Sequence, residues 1–68
     1  MIKPFAVEDM SKLLVIKKLI TTGYRSYALD LAAIITDVRA KAVADLLIFG
    51  GHSKNKIIQS VYLRINND

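Results

Sequence analysis

From Met10 to Thr22 the apolar residues recur at helical spacing: at about 100° per residue, Leu13, Ile16, Leu19 and Ile20 fall within one arc, with Lys17 and Lys18 outside it. This pattern predicts an amphipathic helix. Glu8 and Asp9 stand where carboxylates suit the free amides and the positive end of the helix dipole, so the helix is expected to start there. Lys12 falls inside the arc and must carry its ammonium out along its apolar stem, whereas Leu14 and Val15 fall outside it. Gly23 is a natural terminator. Upstream, Pro4 lacks an amide donor and biases the residue before it away from helix, so residues 1–7 read as an extended lead-in.

Ser26 can cap a second, short helix over "YALDLAAII", with Leu29, Ala32 and Ala33 placed to pack and the alanines allowing close approach of another helix. Thr36 is the next capping candidate, with Asp37 in the first turn, so a third helix is expected from Asp37 to about Phe49. Gly50 and Gly51 end it. After the polar loop "GGHSKNK" the pattern changes: "IIQSVYLRI" is β-branched and aromatic, and Val61, Leu63 and Ile65 alternate with Tyr62 and Arg64. That period of two predicts a C-terminal strand, followed by a frayed tail at residues 66–68. There is no internal repeat and no linker.

Composition narrows this picture. Sixty-eight residues make one domain, 53% of them hydrophobic, which is enough for a core and too little for a large one. With no cysteine and a single His, disulfides and metals are not expected to supplement that core, and self-association is the remaining route. No cofactor is expected. The net charge of +4 favours polyanionic partners. Glu8 and Asp9 interrupt the run a signal peptide would need, and no apolar stretch approaches the ~18 residues that cross a bilayer, so a cytoplasmic protein is expected. Catalysis is the weakest class: there is no Cys, no nucleophile set, no phosphate loop and no metal-ligand spacing, and His52 stands alone.

The third predicted helix is basic at its start and apolar at its end. A helix that enters the major groove needs polar residues in its N-terminal half and packing residues in the other, and Arg39 and Lys41 meet the first condition. Val38, Ala40 and Val43 are expected to face inward. Arg suits bidentate bonding to guanine, and Lys41 suits a base or a phosphate. Thr36 and the amides beside it suit a phosphate, weakened by Asp37. Two cations on a solvated helix face are the plainer account of Arg39 and Lys41, as a solvated turn is of Lys54 and Lys56. Tyr24 and Tyr27 are expected to pack with their hydroxyls outward.

The stretch Arg25–Gly51, "RSYALDLAAIITDVRAKAVADLLIFGG", resembles the helix-turn-helix of small bacterial winged-helix transcription regulators, most closely the fimbrial (pilus) switch regulators. Arg25-Ser26, Leu29, Ile35-Thr36-Asp37, Ala40-Lys41, Leu46-Leu47 and Gly51 carry that likeness. The resemblance implies an α+β, mostly helical fold: a three-helix winged helix-turn-helix with a short or degenerate wing and a C-terminal strand. It also implies a sequence-specific regulator of bacterial, phage or plasmid origin that binds double-stranded DNA. The residues expected at the DNA are Arg25, Ser26, Thr36, Arg39, Lys41, Lys54, Asn55 and Lys56.

Leu46, Leu47, Ile48 and Phe49 span about 300° of the third helix, more than the roughly 100° stripe one core requires. Some of them need a second surface. A homodimer is therefore expected, through Leu14, Val15, Ile48 and Phe49, and it would pair two half-sites on DNA. The competing function is a protein-binding module, antitoxin-like or a phage inhibitor, that docks a partner on the apolar end of the third helix. A membrane-surface role is disfavoured because the cations do not gather opposite one apolar stripe.

Overall fold

The computed structural model describes residues 5–67, which form four helices: α1 (Val7–Thr21), α2 (Arg25–Ala33), α3 (Val38–Phe49) and α4 (Lys56–Asn66). The rest of the expected lead-in, residues 1–4, and Asp68 of the expected tail lie outside the described residues. Ala6 is extended, as expected, and Val7 already belongs to α1, with Glu8 and Asp9 in its first turn.

The turn after α1 is set by Gly23. Its φ of 90° lies in the left-handed region that favours glycine. The amide of Gly23 donates to the Ile20 carbonyl (3.2 Å) and that of Tyr24 to the Leu19 carbonyl (2.8 Å), the paired pattern that closes a helix on a left-handed residue. α2 starts at once, without a side-chain cap, so Ser26 is an exposed first-turn residue and not the N-cap. α3 is capped by Asp37 and not by Thr36: its Oδ1 accepts from the amides of Arg39 (2.8 Å) and Ala40 (3.2 Å). Gly50, at φ 79°, ends α3.

The α+β class, the wing and the C-terminal strand are corrected by the structure. Among the described residues there is no strand, and "KIIQSVYLRIN" is α4, so Asn66 is helical and Asn67 caps it. The alternation over 61–65 is part of a longer helical pattern in which Ile58, Val61 and Ile65 are buried while Lys56, Ser60 and Arg64 are exposed. A lone strand would also lack a partner for its amides and carbonyls, which a helix satisfies internally. Asn55 starts α4, its Oδ1 accepting from the amides of Ile57 (2.9 Å) and Ile58 (3.2 Å).

α1 and α3 are central, each packing against the other three helices, while α2 and α4 are out of contact with one another. The core between them is entirely apolar, and Leu13, Ile16, Val43 and Ile65 are its most enclosed large side chains. Ala28 and Ala32 of α2 and Ala40 and Ala44 of α3 are buried, and their short side chains let the helices approach closely. On α2 the packing pair is thus Ala28 and Ala32; Leu29 and Ala33, expected inside, are exposed. Ile35 is buried in the connection and anchors the turn between α2 and α3. Lys17, expected on the solvent side of α1, reaches α4, where its Nζ donates to the Ile65 carbonyl at 2.7 Å.

Candidate nucleic-acid interface

α2 and α3 are joined by residues 34–37 and pack on one another, with Ala28, Ala32, Ile35, Ala40 and Ala44 buried in the shared core. With Ala40, Val43, Ala44 and Ile48 buried, the outward face of α3 is settled by elimination. Val38, Asp45 and Phe49 are exposed along it at the spacing of a single helix stripe, and Ala42, at the same register, is half-buried against the core. Val38 is 81% exposed. That reverses the expectation that it faces inward; Ala40 and Val43 do face inward. Val38 is the first residue of α3 and lies about 200° around the helix from Ala40, on the side away from the buried positions.

Arg39 and Lys41 flank this stripe. At about 100° per residue they lie roughly 80° to either side of the midpoint between Val38 and Ala42. Their settings differ. Lys41 is exposed, whereas the Arg39 guanidinium lies 5.3 Å from the centre of the Phe5 ring and its Nε is 3.9 Å from Asp37 Oδ1. Phe5 is buried, so this stacking fixes Arg39 beside the N-terminal end of α1 and α3. Neither the ring contact nor the capping carboxylate is signalled by residue spacing.

Asp37 also changes the chemistry of the α3 N-terminus. It takes the amides of Arg39 and Ala40 and adds negative charge, so those amides are not offered to a phosphate. Thr36 is exposed beside it, and Ser26 is exposed at the start of α2. Arg25, the first residue of α2, lies over the Phe49 ring at 5.4 Å, bringing together the start of α2 and the end of α3.

Lys54, Asn55 and Lys56 sit elsewhere. Lys54 and Lys56 line, with His52, Gln59 and Leu63, a shallow concavity of about 480 Å³ that includes no residue of α2 or α3. Asn55 is occupied as the α4 cap. A further concavity of about 420 Å³ lies along α1 between Leu14, Lys17, Lys18 and Thr21.

The four residues expected to pair two subunits separate into two groups. Leu14, Val15 and Phe49 are exposed, Phe49 at 63%. Ile48 is 6% exposed and belongs to the core of the single chain. The apolar end of α3 finds its second surface in α4, which was expected as a strand, with Leu46 and Leu47 half-buried beside it. Tyr24 and Tyr27 are exposed, their rings 5.9 Å apart at a tilt of 55°.

No group of three His, Cys, Asp or Glu side chains among the described residues can hold a metal ion, and none of the described helices is long and apolar enough to cross a membrane. No known protein family, curated protein or solved structure matches this chain.

Proposed function

We propose that this protein is a sequence-specific double-stranded DNA-binding regulator that lays the first two turns of α3 in the major groove. The observation that carries this reading is the outward side of α3: Val38 at its head and Asp45 further along are exposed, and Arg39 and Lys41 lie to either side of the line they share. A helix set in the major groove has a phosphate backbone on each side of it, so one cation per side matches the charge it meets. Arg25, at the N-terminus of α2, supplies a third cation from the helix that crosses the backbone. The net charge of +4 adds a long-range attraction. The likeness to the pilus switch regulators enters only through Arg25–Gly51, and the wing forms no part of the proposal.

Arg39, stacked on Phe5 and beside Asp37, is suited to a phosphate at the groove edge more than to guanine in its floor. The test is a gel-shift series over random duplexes at low salt, with selection of the bound fraction. Retention of a defined sequence is the expected result, with Lys41→Ala weakening binding on every sequence alike. Absence of any shifted species at low salt would falsify the reading.

One observation favours the protein-binding alternative: Phe49 is exposed under the Arg25 guanidinium, at the end of α3 away from Val38. An aromatic ring beside an Arg is the usual composition of a binding hot spot. Phe49→Ser separates the two readings, because under the DNA reading it costs at most the contact of Arg25, which lies over the ring, and leaves the preferred sequence unaltered.

A further inference from the structure

The residue most exposed to solvent among the large apolar side chains is Val38, and it stands at the head of the helix assigned to the groove. An exposed apolar side chain there has a hydration cost in the free protein. In the major groove only one base edge offers an apolar partner: the 5-methyl group of thymine. Ala42, one turn further along the helix, is half-buried against the core, so Val38 is the apolar side chain that this end of α3 presents to a groove. Beside Val38 there is no Asn, Gln or Arg on the stripe that could bond an adenine or guanine edge; the cations lie on its flanks. Asp45 follows Ala42, and its carboxylate sets the limit of insertion, since deeper entry would carry it toward the phosphates.

On the reading of α3 as the groove helix, we propose that Val38 recognises a thymine methyl group, so that the preferred sites contain thymine and are read there by apolar contact. Arg39 and Lys41 then place the helix on the duplex without choosing the bases. Specificity and affinity rest on different residues of one helix.

The experiment replaces single thymidines of a selected duplex with deoxyuridine, which removes the methyl and leaves the base pair and every polar group in place. Loss of contact with one methyl is expected to weaken binding about three- to fivefold at one position. Val38→Ala binds the thymidine duplex as weakly as the native protein binds the deoxyuridine one, and loses the discrimination at that position, which completes a double-mutant cycle. Alanine is a better helix former than valine and the site is solvated, so the variant keeps its fold, checked by its far-UV spectrum. Val38→Ile retains the discrimination. Equal binding of thymidine and deoxyuridine duplexes at every position, selected sites without thymine, or full discrimination in Val38→Ala each overturn the proposal while duplex binding stands. Failure to bind any duplex at low salt overturns it together with the reading on which it rests.

Discussion

Asp37 does two things at one position, and they can be pulled apart. As the cap of α3 it satisfies two amides, and as an anion it stands next to the surface assigned to phosphates. Asn caps a helix as well as Asp does but carries no charge, whereas Ala does neither. Asp37→Asn is therefore expected to hold stability within a few tenths of a kcal/mol and to raise duplex affinity at low salt. Asp37→Ala is expected to lose about 1 kcal/mol of stability. Urea unfolding and a salt-controlled titration read the two effects; equal stability of the two variants would show that the cap is dispensable. Leu13 tests the core on the same scale. It is fully enclosed where α1 meets its neighbours, and Leu13→Ala is expected to cost about 2–5 kcal/mol, most of the stability of a domain this small. At Gly50, where φ is 79° and ψ −176°, a combination essentially confined to glycine, an added Cβ meets no atom, so Gly50→Ala probes backbone conformation alone and is expected to cost about 1–3 kcal/mol.

α4 shows which element-level signals were legible. The amphipathic arc of α1, the glycine stops and the boundary between α2 and α3 were all readable from spacing, because each depends on residues within one or two turns. At α4 two periods compete: Val61, Leu63 and Ile65 fit a strand, and Ile58, Val61 and Ile65 fit a helix. Local preference for β-branched residues pointed to the first. The apolar flank of α3, which needed covering, and the Asn55 cap decide for the second. The same tertiary demand placed Ile48 inside and left Phe49 outside, a distinction that a continuous apolar run cannot make. Whether 56–66 is helical is measurable at Ser60, which is exposed in mid-helix. In a helix Ser60→Ala stabilises by about half a kcal/mol and Ser60→Thr does not; in a strand the order reverses. Asn55→Ala is expected to lower stability by about 1 kcal/mol through loss of the cap.

At the scale of the whole molecule, the radius of gyration of 10.9 Å agrees with the roughly 11 Å expected for one domain of this length. Leu14 and Val15 on α1 and Phe49 on α3 are exposed on that single chain. What a second copy would change is the electrostatics of binding. On the proposed reading Arg25, Arg39 and Lys41 would make three phosphate contacts per chain, and each such contact contributes about −0.9 to the slope of log K against log salt on duplex DNA. One copy per site predicts a slope near −3, and two copies on paired half-sites predict about −6, with sedimentation of the complex giving the matching mass. Lys41→Ala is expected to reduce the slope by about 1 per copy, uniformly across sequences, while Val38→Ala leaves it unaltered because a methyl contact releases no counterion. That contrast is the test of the division of labour on α3. A slope that falls with Val38→Ala, or one that ignores Lys41→Ala, would mean that positioning and recognition are not carried by separate residues of α3.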